Sequence, residues 1–190
     1  MASLAELAAE AAACTACRLA SGRTTVVFGT GSPTAELVLV GEGPGAEEDR
    51  QGLPFVGRSG QLLDRLLAEE LGLSRDSVYI CNVTKCRPPN NRDPLPDEIA
   101  ACRHFLDGQL ACIAPRVVVT LGNFATRTLL ERAEGISHLR GQSYPFGGAR
   151  LVPTFHPAAA LRGGPTVVAQ MRADLVRAKR ELAAGAPAPA

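Results

Sequence analysis

Leu37–Gly41 reads LVLVG and runs straight into Glu42-Gly43-Pro44-Gly45. Five apolar residues with no polar face suit a strand buried on both sides, and the glycine-rich break suits the loop that leaves it. Three more runs share this character: residues 78–82 (VYICN), 117–121 (VVVTL) and 151–155 (LVPTF). Helical spacing fills the gaps, over 60–71, 96–113, 123–132 and 165–182, the second opening on a proline at a helix start. Strand–helix–strand alternation of this kind predicts an α/β fold with right-handed crossovers, a parallel sheet and helices on both faces. In such sheets ligands bind beyond the carboxyl ends of the strands. The residues to inspect are therefore 42–45, 82–87, 122–123 and 156–157.

The rest of the chain narrows the class. Its 190 residues suit one domain with a substantial core, expected over 1–183, with 184–190 as a frayed Ala/Gly/Pro tail. A hydrophobic content of 46% excludes a disordered chain. The net charge of +1 argues against a broad nucleic-acid coat but leaves room for a small basic patch. Residues 1–13 are Ala-rich and lack the basic start and long apolar run of a signal peptide. No stretch is long and apolar enough to span a membrane, so the expected location is the cytoplasm. Six cysteines there are not expected to form disulfides. Cys14 and Cys17 form a C-x-x-C pair, Cys86 follows the second strand, and Cys102 lies on the next helix. Four thiolates can hold a cubane cluster or a tetrahedral zinc, and spacing does not choose between them. Cys81, inside an apolar strand, and Cys112, at an apolar helix end, read as core residues.

Taken singly, the residues at the strand ends are ambiguous. Gly41, Gly43 and Gly45 make a plain turn or let the backbone approach a flat ligand. Phe55, in a loop bounded by Gly and Pro, is a stacking surface or a core anchor. Asn82 is a strand-end turn or a paired donor and acceptor for a base edge. His156 is a satisfied histidine or a ligand contact.

The combination is specific. GEGPGAEEDRQGLPFVGRSGQLL (41–63), NVTKCRPP (82–89) and TFHPAAALR (154–162), in this order, resemble the family-four uracil-DNA glycosylases, the iron–sulfur branch of that superfamily. The resemblance runs from Cys14 to about Leu182. It implies a three-layer α/β/α sandwich around a four-stranded parallel sheet. It also implies a four-iron, four-sulfur cluster on Cys14, Cys17, Cys86 and Cys102, serving structure, because glycosidic hydrolysis needs no electron transfer. The implied substrate is uracil-containing DNA, acted on by a monomer with no membrane involved.

The same resemblance assigns roles. The target base must leave the stack and be read in a pocket. Gly41, Glu42 and Gly43 would line it, and Phe55 would stack on the uracil ring. Asn82 would address N3–H and O4, a pattern that cytosine reverses. His156 would donate to O2, where negative charge grows as the glycosidic bond breaks. Glu42 would position water or stabilise the sugar cation. Here the sequence departs from the best-known branch, which carries Asp one position later, at Gly43. Gly45 likewise stands where that branch has a bulky Tyr that excludes thymine, and Glu48 is the substitute expected to do so. Leu161 would wedge into the gap left by the flipped base and Arg162 would meet phosphate. Lys85 and Arg87, with Arg92, form a second basic group expected on phosphate.

Two other functions compete. A relative that traps uracil DNA covalently uses a His in an inserted basic loop, but neither His104 nor His138 lies in one, and 137–141 (SHLRG) lacks the basic run. A non-catalytic, cluster-bearing binding subunit would have no need of Asn82 and His156 together.

Overall fold

Alternate residues of the 37–41 run face opposite sides of one sheet, as a strand's two-residue period requires. The computed structural model describes residues 2–184; of the expected tail, 185–190 lie outside the described residues and Ala184 closes the last helix. The central strands are β2 (Leu37–Gly41), β3 (Tyr79–Asn82), β4 (Val117–Leu121) and β6 (Ala149–Thr154). β2 pairs in parallel with both β3 and β4, and β4 in parallel with β6.

The sheet is nevertheless mixed and six-stranded, in the order β1-β3-β2-β4-β6-β5. Two short antiparallel strands, β1 (Thr30–Gly31) on β3 and β5 (Tyr144–Phe146) on β6, close its edges. Neither was among the four strands expected from the sequence. At two and three residues, and only half-buried, they carry no apolar run that a sequence reading could register.

Leu37 and Leu39 turn to one face, where α3 (Arg58–Leu66) and α7 (Pro157–Ala183) supply Leu62, Leu63, Leu66, Met171 and Leu175. Val38 and Val40 turn to the other, against Leu106 of α4 (Pro96–Ile113) and Ala125 and Leu129 of α5 (Asn123–Leu130). Each fully buried Leu or Val contributes roughly 1.5–3 kcal/mol, so the two faces together carry the fold. The first helix, α1 (Leu4–Ala13), starts with a Ser3–Glu6 capping box and lays Leu7 and Ala11 on α4 beside Cys102 and Phe105.

Helix boundaries shift from the expected ones for local reasons. α3 begins at Arg58, and its continuation Leu67–Leu71 widens into a π turn. α5 stops at Leu130 because Glu131 turns left-handed, at φ 54°. α7 begins at Pro157, well before residue 165, and is broken at Gly164 (φ 71°, ψ −160°). Among the described residues, no helix is long and apolar enough to cross a membrane.

Strand order reverses at β2, whose two neighbours are reached in opposite directions. A crevice beyond its carboxyl end is the expected consequence.

Candidate active site

That crevice is a cleft at the strand ends. Its empty space, open mouth included, is about 1170 Å³, and Glu42, Glu48, Phe55, Asn82, His156 and Arg162 are among its walls. Gly41 and Asn82 are register partners at the ends of β2 and β3. A Cβ on Gly41 would collide with Asn82 Oδ1 and stand 2.6 Å from the Phe55 ring. The three residues therefore meet at one point, and only glycine fits there.

Phe55 is held in an unusual backbone conformation, φ 53°. The Arg75 guanidinium donates to the Pro54 carbonyl at 3.0 and 2.8 Å and also to the Phe55 carbonyl. From the other side Glu48 Oε1 accepts the Val56 and Gly57 N–H groups at 3.1 and 3.3 Å. Gly60 lets the Phe55 carbonyl approach α3, since a Cβ there would strike it. The clamp offsets the backbone strain and presents the ring 5.6 Å from the His156 imidazole, tilted by 32°.

Asn82 is 2% exposed, and its Oδ1 has no hydrogen-bond partner. A buried unpaired carbonyl is costly, and Asn82 lines the cleft, from which a donor could reach it. His156 caps α7, with Nδ1 accepting the Ala158 N–H at 3.1 Å. The ring proton of the neutral form therefore sits on Nε2, leaving that nitrogen a donor. Burial pushes the His156 pKa down to about 4; the Arg162 charge acts in the same direction and Glu48 opposes it. The imidazole is thus neutral at physiological pH. Gly122 (φ 95°) has His156 Cβ 3.1 Å from where its own Cβ would stand, so β4 closes tightly on the histidine.

Burial pushes the Glu42 carboxyl up to about 7, and the Asp93 carboxylate adds to the shift. The two departures from the best-known branch have steric counterparts. A Cβ at Gly43 would come 2.5 Å from Thr84 Oγ1, so that hydroxyl fills the place of a side chain there. A Cβ at Gly45 would come 2.7 Å from Glu48 Oε2, so the Glu48 carboxylate occupies the space a larger residue would take. In the acidic run of α2 (Ala46–Gln51), Glu47 pairs with Arg50, Glu48 faces the cleft, and Asp49 accepts the Thr24 and Thr25 N–H groups.

Of the expected DNA contacts on the first turns of α7, Arg162 is exposed and lines the cleft, while Leu161, 49% exposed, lies on the neighbouring face of the helix and not on the cleft wall. Arg87 is half-buried and donates to Asn91 Oδ1 at 2.7 Å, and Arg92 is paired with the buried Glu98. Lys85 is a correction. It is 1% exposed, and its Nζ donates to the Asn82 carbonyl at 2.7 Å and to Gln109 Oε1 at 2.6 Å. The turn after β3 sends this side chain under the sheet, where it braces Asn82 from below and cannot reach phosphate. The sequence reading also singled out neither Arg75, which lies away from the strand ends, nor Thr84, which lies within 82–87 but carries nothing that sets it apart from its neighbours.

Cys14, Cys17, Cys86 and Cys102 line one small space between α1, the turn after β3 and α4. Cys81 packs in the core, and Cys112 Sγ lies 3.0 Å from the Ala2 carbonyl. Among the described residues no three His, Cys, Asp or Glu side chains converge on a single-ion position. Three N–H groups point at the lining sulfurs: Arg23 Nη1 to Cys86 (3.4 Å), Lys85 N to Cys102 (3.5 Å) and Ala16 N to Cys14 (3.5 Å). Such donors suit electron-rich thiolates. Arg23 is a further residue the sequence reading did not single out.

A sequence profile of the uracil DNA glycosylase superfamily matches residues 28–178. A type-4 uracil-DNA glycosylase of Thermotoga maritima is 52% identical over 151 residues, covering 78% of this chain and 78% of that protein. One from Sulfurisphaera tokodaii is 47% identical over 169 residues, 85% of this chain and 77% of that protein. A type-5 uracil-DNA glycosylase of Pyrobaculum aerophilum is more distant, at 32% over 144 residues, 67% of this chain and 63% of that protein.

Proposed function

The chain belongs to the uracil DNA glycosylase superfamily, and from that premise we propose how it excises uracil from DNA as a DNA-repair hydrolase. The observation that carries the reading is the buried, unpaired Asn82 Oδ1 beside the Phe55 ring and a neutral histidine. Uracil enters the cleft out of the stack, with its ring on Phe55. Asn82 Oδ1 accepts from N3–H, and its amide N–H donates to O4. Cytosine offers an acceptor at N3 and a donor at N4, so it meets like with like.

As the C1′–N1 bond breaks, its electron pair leaves with the base and charge collects on O2. The His156 Nε2–H donates to that oxygen. A donor aimed at growing charge lowers the barrier more than it strengthens substrate binding. The ionised Glu42 carboxylate orients a water toward C1′ and takes its proton, and the sugar cation becomes an abasic site. Glu48 fills the space near the C5 edge, against which a thymine methyl would press. Leu161 wedges into the emptied stack, and Arg162 and Arg87 meet phosphate.

The four thiols fit an iron–sulfur cluster. They line one space, no three of them converge on a single-ion position among the described residues, and N–H groups from Arg23, Lys85 and Ala16 point at their sulfurs. A [4Fe-4S] cluster on Cys14, Cys17, Cys86 and Cys102 would supply a cross-link between α1, the turn after β3 and α4. The surrounding architecture is that of a three-layer α/β/α sandwich on four parallel strands. The protein acts as a monomer in the cytoplasm.

Incubation with a uracil-containing oligonucleotide, followed by alkaline cleavage, tests the reading. Strand scission at the uracil is expected. A stable protein–DNA adduct would indicate covalent trapping instead, and intact DNA would indicate a binding module.

A further inference from the structure

A second depression adjoins the cleft and belongs to neither the uracil pocket nor the cysteine cavity. It lies between α3 and α7, with about 830 Å³ of open space, and Leu62, Arg65, Ala160, Leu161 and Val168 line it. Ala158 and Arg162 line the cleft, while Ala160 and Leu161 line this groove. The first turns of α7 therefore form a ridge with the cleft on one side and the groove on the other.

Arg65 is exposed on the groove wall and has no ion-pair partner among the described residues. Arg172, which also lines the groove, is committed to Glu69 and Glu70. Ser59 lines the cleft, and Arg65 follows it by six residues on α3. At 1.5 Å per residue the two lie about 9 Å apart along the helix axis. That is comparable to the roughly 6–12 Å that separates the two backbones across a groove of duplex DNA.

We infer that this groove receives the DNA strand opposite the uracil, with Arg65 on one of its phosphates. The inference rests on the uracil-excision reading and deepens it. If the uracil strand turns into the cleft and Leu161 fills the stack, the complementary strand must lie beyond the ridge. The apolar floor of Leu62, Ala160 and Val168 suits sugar and base surface, and the unpaired guanidinium suits a phosphate. Arg65 therefore acts on duplex substrates and is idle on single strands.

The test compares wild type, Arg65→Ala, Arg65→Lys and Arg180→Ala, the last at an exposed position far along α7. Binding is titrated with single-stranded and duplex oligonucleotides carrying 2′-fluoro-2′-deoxyuridine, which resists cleavage, over a range of salt. For Arg65→Ala, duplex affinity is expected to fall roughly fivefold at low salt. The slope of log affinity against log salt should flatten by about 0.9, one phosphate contact. Single-strand affinity should not change, Arg65→Lys should recover most of the loss, and Arg180→Ala should match wild type. An equal loss on both substrates, or no loss on the duplex, overturns the inference. Wild type that releases uracil from neither single-stranded nor duplex oligonucleotides carrying ordinary deoxyuridine overturns the underlying reading as well, and that separate assay distinguishes the two failures.

Discussion

The Ala158 N–H donates to Nδ1 of His156 at 3.1 Å, so one backbone amide two residues on decides which nitrogen of the imidazole carries the proton. His156→Ala removes the donor aimed at O2. Single-turnover excision is expected to fall by about 10²–10³, with a much smaller change in affinity for uracil-containing DNA. Rate and affinity falling equally would mean that the residue binds substrate uniformly and gives the transition state nothing extra.

Glu42 predicts an acid limb. Its pKa lies near 7, raised by burial and by Asp93, in a cleft that also holds Glu48, Arg92, His156 and Arg162. The carboxylate is the working form, so the excision rate should decline as pH falls through about 7. His156, with a pKa near 4, adds no break in that range. Glu42→Gln should be slow and lack the limb. It should also be the more thermostable protein at pH 8. A carboxyl whose pKa rises on folding favours the folded state at low pH, and that advantage is lost as pH climbs from 4.5 through 7. Melting curves at pH 4 and pH 8 check the sign.

Asn82→Asp replaces the amide donor while keeping the shape. Discrimination between uracil and cytosine should narrow, because a protonated carboxyl can present the donor that cytosine N3 requires. Competition kinetics on strands containing each base measure it. Unchanged selectivity and rate would remove Asn82 from base reading.

Cys86→Ala should lose iron and thermal stability together, while Cys112→Ala, outside the shared cavity, should keep both. Iron analysis and visible absorbance of anaerobically purified protein report the first, and a melting curve the second. A colourless wild type carrying stoichiometric zinc would contradict the cluster.

The central strands were legible because each is apolar on both faces, and a sequence can show that without context. β1 and β5 were not, since two or three half-buried residues at a sheet edge carry no periodic signal. Phe55, Asn82 and His156 fall at strand ends or in glycine-rich loops, so topology and composition pointed to them together. Lys85 failed for the opposite reason. A charged residue after a strand reads as surface, and nothing in NVTK announces that the turn folds the side chain inward onto Gln109. Arg75 was out of view because it acts from 20 residues away, on a carbonyl.

Gly41, Gly43 and Gly60 each stand where an added Cβ would run into Asn82, Thr84 or the Phe55 backbone. Much of the most recognisable stretch of this chain is therefore fixed by the protein's contact with itself. A relative could keep every one of those glycines, be recruited to the family on their strength, and have lost its histidine. The glycines vouch for the mould; only the side chains projecting into it say whether anything is still cast there.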